Sequence, residues 1–233
     1  MSQIVAAISM SHAPGMLGWP DAPKPAMKAA MDGAVAEIAR YLDAAKPDVI
    51  VAVLDDHFEN HYRNLMPAFS IGIADSHVGP ADYWMKMLKI DTQWKIAGEP
   101  ALAEYLLRAL VKANFDVARM GAVEYGNNLC VPLKLIRPRA DIPIVPLFIN
   151  VFSPPLPSVA RAYAFGEALR HAIEATPGNQ RIALLATGGL SHWPPVWRDD
   201  IPPTDAFMQR MRRFQTEGRP VLKADPELLT DLG

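Results

Sequence analysis

The sequence predicts an α/β fold, a single domain in which a largely parallel central sheet is flanked by helices. Short apolar runs with the length of buried strands alternate along the chain with segments of helical periodicity, and this alternation is typical of parallel strands joined by helices. Apolar residues make up 50% of the 233 residues and charged residues 21%, so the chain can build a sizeable hydrophobic core.

Each element is predicted from its own pattern. Runs rich in apolar and β-branched residues suit strands buried on both faces, and segments whose apolar residues recur every three to four positions suit helices packed on one face. In chain order the predictions are a strand at 4–9, a helix at 25–45, strands at 48–54 and 68–74, a helix at 99–114, a strand at 142–151, a helix at 159–175, a strand at 181–186, and helices at 204–216 and 226–232. Residues 75–98 are predicted to form a long irregular connection.

Charge and cysteine content exclude several classes of partner and location. Lys and Arg number 23 against 25 Asp and Glu, and this balance gives no basis for binding nucleic acid or an anionic membrane. Cys130 is the single cysteine, so no intrachain disulfide can form. The sequence has no run of about 18 consecutive apolar residues and no signal-peptide pattern at its start, so we expect a cytoplasmic protein without a membrane span.

Three histidines, His12, His57 and His192, each follow the C-terminal end of a predicted strand. In a parallel sheet these strand ends lie at one edge, where ligand sites form, so the three imidazoles are expected to converge. Imidazole is the commonest metal ligand among side chains. Two histidines and a carboxylate with open coordination positions suit non-haem Fe(II) that must bind oxygen and a substrate. The pattern therefore predicts a metal-dependent site.

The other histidines offer a weaker alternative. His171 is predicted to be a surface residue of a helix, and His77 is assigned no role. His61 follows His57 by four positions, so the two would share a face if residues 56–62 were helical. Such a pair would suit a zinc-dependent hydrolase, although the glutamate of the HExxH motif is not in its place.

Asp55 and Asp56 immediately precede the second of the three histidines, and two interpretations of them are open. They could orient an imidazole by accepting a hydrogen bond from it. They could instead end the strand and cap the turn that follows.

Four short motifs resemble those of a known family. The chain carries S-H-A-P at 11–14, D-H-F at 56–58, V-P-L at 131–133 and T-G-G-L-S-H at 187–192. Together they resemble the class III extradiol ring-cleavage dioxygenases, of which the protocatechuate 4,5-dioxygenase catalytic subunit is the best-known type. The likeness extends over nearly the whole chain, and T-G-G-L-S-H is its most specific part.

The resemblance implies an enzyme that cleaves the aromatic ring of a catechol-type or o-aminophenol-type substrate with O2. His12 and His57 would bind Fe(II) together with a glutamate near the C-terminus, and His192 would act as an acid and base beside the metal. The resemblance also implies a homo-oligomer or a two-subunit assembly. Aromatic residues that could line the substrate pocket are Trp19, Phe58, Trp84 and Trp193.

The sequence departs from the family just before V-P-L, where the family has Asp-His-Gly. Residues 124–130 here read E-Y-G-N-N-L-C. Counting back from V-P-L without a gap puts Asn127 in the place of the histidine, and a shifted alignment puts Tyr125 there. Either side chain could hydrogen-bond a substrate or dioxygen, so both are candidate substrate-binding residues.

The ligand glutamate of the family has no matching counterpart in this sequence. Glu217 and Glu227 lie in the wrong context, so we expect residues 1–233 to be one extradiol-dioxygenase-like domain without its C-terminal end, with the third metal ligand beyond Gly233. Two imidazoles alone would hold Fe(II) weakly, since affinity depends on the number and type of ligands. An alternative function is therefore a catalytically impaired homologous subunit or binding protein that keeps the fold without a complete metal site.

Overall fold

Strands and helices alternate along the chain as the sequence predicts. The computed structural model describes residues 1–188 and 201–229. Its strands are β1 (Gln3–Met10), β2 (Val49–Leu54), β3 (Phe69–Gly72), β4 (Ser76–Gly79), β5 (Trp94–Ala97), β6 (Val117–Met120), β7 (Ile144–Ile149) and β8 (Arg181–Thr187). Its helices are α1 (Gly15–Gly18), α2 (Pro25–Ala45), α3 (Asp82–Leu88), α4 (Pro100–Lys112), α5 (Asn127–Ile136), α6 (Val159–Ala175), α7 (Ala206–Glu217), α8 (Arg219–Ala224) and a 3-10 helix (Pro226–Leu229).

A six-stranded sheet organises the described part of the chain, with the strand order β1-β8-β2-β7-β3-β6. Neighbouring strands are parallel except for the β3–β7 pair, which is antiparallel. The predicted α/β fold with a largely parallel central sheet is therefore confirmed. Because β8 lies between β1 and β2 and runs parallel to both, the carboxyl ends of these three strands meet at one edge.

Helices cover both faces of the sheet because the central strands are apolar on both sides. Along β2, Ile50 and Ala52 face one core while Val49 and Val51 face another, which is the alternation expected of a strand. Helices α2 and α5 pack together on the first side, and α4 and α6 pack together on the second. Parallel sheets are typically buried in this way.

The prediction of an irregular connection at 75–98 is wrong. This segment contains β4, α3 and β5. Strands β4 and β5 pair as an antiparallel two-stranded sheet apart from the main one. These elements are only four to seven residues long, which is too short for a hydrophobic period to appear in the sequence.

Strand β6 and helix α5 were not predicted from the sequence. Helix α5 contains Pro132, and a proline inside a helix argues against the helix because proline has no N–H to donate and its ring crowds the carbonyl four residues back. That carbonyl belongs to Asn128, and it accepts the hydroxyl of Thr187 (Oγ1 to O, 2.8 Å). A contact from β8 thus compensates for the hydrogen bond that Pro132 cannot make.

The C-terminal helices pack against the loop that follows β2. The helix predicted at 204–216 is confirmed as α7, α8 was not predicted, and 226–232 begins as a 3-10 helix. Phe58 and Phe152 form a buried cluster with residues of α7 and α8, including Phe214. Within 1–188 and 201–229, no helix combines the length and the apolar character required to cross a membrane.

Candidate metal centre

The strand order brings two predicted metal ligands together. In the parallel register, Met10 of β1 lies opposite Thr187 at the end of β8, and β2 runs along the other side of β8. The chain therefore leaves β1 and β2 at the same edge. His12 and His57 meet there, with their ring centroids 5.0 Å apart and their planes at 81°.

Asp55 forms a cluster of three buried donors with His12 and His57. Its Oδ1 lies 3.8 Å from Nδ1 of His12, and its Oδ2 lies 3.4 Å from Nε2 of His57. One ligand atom from each residue lies within 4.8 Å of the other two. All three residues are at most 4% exposed, so the donors converge away from bulk solvent.

The spacing and the chemistry of these donors fit a divalent metal ion. Metal–ligand bonds of about 2.1 Å place neighbouring ligand atoms about 3 to 4 Å apart, and the separation of 3.4 Å between Oδ2 of Asp55 and Nε2 of His57 lies in this range. Two imidazoles and one carboxylate are also the donor set that leaves positions open for oxygen and substrate on Fe(II). The cluster can therefore hold a metal ion of this kind.

The first two residues of α5 connect the loops that carry these donors. Oδ1 of Asn127 lies 2.6 Å from Nδ1 of His57, and its Nδ2 donates to the backbone carbonyl of His12 at 3.1 Å. Asn128 donates through Nδ2 to the backbone carbonyl of Asp55 at 2.6 Å. These bonds hold the loops after β1 and β2 in a fixed relation to each other.

Thr187 connects the third strand of this edge to the same network. Its Oγ1 lies 3.1 Å from Nδ1 of His12 and donates to the backbone carbonyl of Asn128 at 2.8 Å. The ends of β1, β2 and β8 are thus linked through the start of α5.

Glu59 anchors the loop that carries His57. Its Oε2 accepts a hydrogen bond from the backbone N–H of His57, and its Oε1 accepts one from Nε1 of Trp84, both at 2.7 Å. Gly126 permits this arrangement, since a Cβ there would lie 2.1 Å from Oε1. Burial and the charge of Asp56 raise the pKa of Glu59 to about 8, although His57 acts in the opposite direction.

The pKa of His57 reflects opposing influences. Burial lowers it, but the charge and hydrogen bond of Asp55, the charge of Glu59 and the hydrogen bond to Asn127 outweigh burial and raise the pKa to about 9. Without a metal, His57 is therefore protonated at neutral pH, and Asp55 balances its charge. A metal ion that replaces the proton on Nε2 would face the same carboxylate.

Asp56 differs from Asp55 in what it contacts. Its Oδ2 accepts a hydrogen bond from the backbone N–H of His61 at 2.8 Å, and its carboxylate accepts another from the backbone N–H of Asn60 at 3.2 Å. Each of the two interpretations from the sequence thus applies to one aspartate: Asp55 faces the imidazoles, and Asp56 caps the turn.

The structure contradicts the geometry required for a zinc hydrolase at His57 and His61. Residues 56–62 are not helical, so these two histidines do not share a helix face. Nε2 of His61 instead lies 2.9 Å from Oγ of Ser70. That alternative from the sequence is wrong because the loop is shaped by the capping bonds of its carboxylates and not by a helical period.

The two candidate substrate-binding residues lie in different surroundings. Among the described residues, Asn127 is the candidate that hydrogen-bonds to the predicted metal ligands. Tyr125 is fully buried, with its ring centroid 5.7 Å from that of His77. His192 and Trp193 lie outside the described residues, so their roles stay predictions.

Two aromatic rings lie next to His57. The ring centroids of Phe152 and Trp84 are 5.2 and 6.3 Å from that of His57. Trp84 is one of the predicted pocket residues, whereas Phe152 was not singled out. Phe58 is buried against Phe152, and Trp19 is half exposed.

Sequence reasoning did not identify Asn128, Thr187 or Glu59 as supports of the site, and it did not identify Asp55 as a donor. One signal was present: Asp55 and His57 are two positions apart, and such residues point to the same side of an extended segment. Asn128 and Thr187 act through contacts with residues far away in the chain, and Glu59 combines a bond to the nearby N–H of His57 with one to the distant Trp84, so no local pattern marks these three.

The buried cluster of two histidines and a carboxylate at the carboxyl edge of parallel strands makes this α/β protein a candidate for metal binding. Residues 6–209 match the family described as the catalytic LigB subunit of aromatic ring-opening dioxygenase. The chain belongs to this family, and the resemblance to class III extradiol dioxygenases is confirmed.

Similar proteins carry the names of dioxygenases. A 2,3-dihydroxyphenylpropionate/2,3-dihydroxicinnamic acid 1,2-dioxygenase of Klebsiella pneumoniae (strain 342) is 29% identical over 201 residues, which cover 86% of this chain and 60% of the relative. A protein of Dechloromonas aromatica (strain RCB) with the same name and the suffix 2 is 33% identical over 211 residues. These residues cover 90% of this chain and 61% of that relative. This chain thus spans about 60% of the length of these relatives.

The chain also aligns with proteins of solved structure. Among them is the uncharacterized protein JW3007 from Escherichia coli K12, with 22% identity and a TM-score of 0.47 over 86% of this chain and 71% of that one. A likeness at this level carries no argument about function.

Proposed function

We propose that this chain is the catalytic part of an extradiol dioxygenase that opens the aromatic ring of a catechol-type substrate with O2 and requires non-haem Fe(II). The observation that carries the proposal is the buried cluster of His12, Asp55 and His57 in a member of the LigB family. The names of the relatives favour a catechol over an o-aminophenol as the substrate, and they favour an active enzyme over an impaired subunit.

Asp55 is the proposed third donor beside His12 and His57. The sequence led us to expect the carboxylate ligand beyond Gly233, but a buried carboxylate already lies between the two imidazoles. A negatively charged donor in this position lowers the cost of placing a divalent cation in a buried site.

The side chains of this chain would prepare the substrate for oxygen. Fe(II), when bound, lowers the pKa of a coordinated hydroxyl group and brings the two reactants together. His192 would accept a proton from the catechol hydroxyl and return it later, as the resemblance implies. Because the cluster is buried, the site excludes bulk water and strengthens the electrostatic interactions within it.

Anaerobic reconstitution of the chain with Fe(II) tests the proposal. 2,3-Dihydroxyphenylpropionate, catechol and 2-aminophenol are added in turn, and air is then admitted. We expect oxygen uptake that matches the appearance of a coloured ring-opened product with Fe(II) and not with Zn(II). His57→Ala should abolish both signals, and His171→Ala, at an exposed position on α6, should leave them unchanged.

The same experiment distinguishes an active dioxygenase from a catalytically impaired subunit. If the chain binds one Fe(II) and consumes no oxygen with any of the three substrates, the proposal fails and the catalytically impaired subunit is the better description. Assembly as a homo-oligomer or with a second subunit stays a prediction from the resemblance, and light scattering of the purified chain tests the former.

A further inference from the structure

We infer that Asn127 is a positioning residue for His57 and that Thr187 is one for His12. Each holds its imidazole with a proton on Nδ1, so that Nε2 is the nitrogen that binds the metal. Pro132 enables Thr187 to hold His12 in this way. The inference rests on the proposed metal site, and the directions of the hydrogen bonds to the two imidazoles support it. An imidazole binds a metal through a nitrogen without a proton, and the partner of the other nitrogen decides which one that is.

The orientation of the Asn127 amide determines the proton position on His57. The carbonyl of His12 can only accept, so the amide atom 3.1 Å away from it must be the NH2 group. The amide oxygen therefore lies 2.6 Å from Nδ1 of His57 and can only accept from it. Nδ1 thus keeps its proton, and a metal must replace the proton on Nε2, which faces Asp55 at 3.4 Å.

The hydroxyl of Thr187 determines the proton position on His12 by an independent route. A hydroxyl has one proton, and the carbonyl of Asn128 at 2.8 Å can only accept it. The oxygen of the hydroxyl therefore presents a lone pair to Nδ1 of His12 at 3.1 Å. Nδ1 must donate to it, so the neutral imidazole carries its lone pair on Nε2.

Pro132 explains why the carbonyl of Asn128 can take this proton. In an uninterrupted helix that carbonyl would accept the N–H of residue 132. Proline has no N–H, so the carbonyl is directed to β8 instead. The proline of V-P-L, a motif to which the proposed chemistry assigns no role, thereby acts on His12 through Asn128 and Thr187.

NMR of the histidine side chains tests the inference without turnover. In 15N-labelled protein, Nδ1–H signals of His12 and His57 should be present both without metal and with Zn(II), a diamagnetic probe. Thr187→Val should remove the His12 signal and weaken Zn(II) binding by about tenfold to a hundredfold. Thr187→Ser keeps the hydroxyl and should restore both.

Thr176→Val is the matched control, because Thr176, which is buried, likewise donates its hydroxyl to a backbone carbonyl, that of Ala172, outside the metal centre. It should change neither the His12 signal nor the affinity. Pro132→Ala restores an N–H that competes for the carbonyl of Asn128, so it should weaken the His12 signal and spare that of His57.

Asn127→Leu and Asn127→Asp separate the two functions of the amide. The leucine variant has no acceptor and should lose the His57 Nδ1–H signal, whereas the aspartate variant keeps an acceptor and should retain it. The inference is overturned if Thr187→Val leaves the His12 signal and the Zn(II) affinity unchanged, or if Thr187→Ser behaves like Thr187→Val. Failure of the wild-type chain to bind Zn(II) would refute the metal site instead, and the metal-free spectra would still decide the proton positions.

Discussion

Asp55 and Asp56 are adjacent in the chain, yet their carboxylates serve different parts of the structure. Asp55 lies beside both imidazoles of the metal centre, whereas Asp56 caps the backbone N–H groups of Asn60 and His61. Successive residues of an extended segment point to opposite sides. The segment after β2 therefore directs one carboxylate to the imidazoles and the other to the N–H groups of the loop.

The first prediction compares substitutions at these two positions. Asp55→Asn should weaken the binding of Fe(II) or Zn(II) by at least about tenfold, because the amide supplies no charge. Asp56→Ala should lower the free energy of unfolding by about 1 to 3 kcal/mol, because two N–H groups lose their acceptor, and change metal affinity little. Chelator competition and urea unfolding measure the two quantities. Equal effects of both substitutions on metal affinity would contradict the division of roles.

The second prediction concerns the close approach of Gly126 to Glu59. In Gly126→Ala the new Cβ would lie 2.1 Å from Oε1 of Glu59 and 2.8 Å from Nε1 of Trp84, so the carboxylate must move. We expect a loss of roughly 1 to 3 kcal/mol in the free energy of unfolding. Gly121→Ala is the matched control, because no atom lies within 4 Å of its Cβ position. Urea unfolding of both variants checks this, and equal stabilities would argue against the Glu59 contact.

The third prediction is a pH dependence that arises at His77. Burial lowers the pKa of its imidazole to about 4, against the opposing charge of Asp75. The ring of Tyr125 packs against it, and its Nδ1 accepts the N–H of Val123. The unfolded chain, with a pKa of about 6.5 for this group, therefore binds more protons between pH 4 and 6.5 than the folded chain does. Stability from this group is present above pH 6.5 and is lost as the pH falls through that window.

Urea unfolding at pH 7 and pH 5 checks the contribution of His77. Wild-type protein should lose more stability between these pH values than His77→Gln, because glutamine does not titrate. An identical loss in both proteins would show that the imidazole is not held neutral in the folded state.

The fourth prediction uses Cys130 as a reporter of the packing of α5. The residue is fully buried, and burial raises the pKa of its thiol well above the ordinary value, assisted by the charge of Glu59. Because the thiolate is the reactive form, iodoacetamide should not modify the native protein but should modify it in urea. Mass spectrometry measures the label. Rapid labelling without urea would contradict the burial of the helix that positions Asn127.

Long elements could be predicted from the sequence, and short ones could not. The helices at 25–45 and 159–175 have the predicted bounds because each spans several turns of a clear hydrophobic period. β4 and β5 are too short to show a period. Helix α5 was missed because Pro132 disfavours a helix unless another segment compensates, and the compensating Thr187 lies 59 residues from Asn128 in the chain.

Local patterns were sufficient for the fold class, the family and the expectation that His12 and His57 would meet, since strand composition and a position just past a strand end are visible in a few neighbouring residues. The place of Asp55 beside the imidazoles and the hydrogen bonds of Asn127 and Thr187 to them emerged from the folded chain. Their decisive bonds join residues 70 and 175 positions apart, and the direction of each bond depends on a carbonyl from yet another segment. Such hydrogen bonds depend on which distant segments the fold brings together, and this cannot be inferred from a short stretch of sequence.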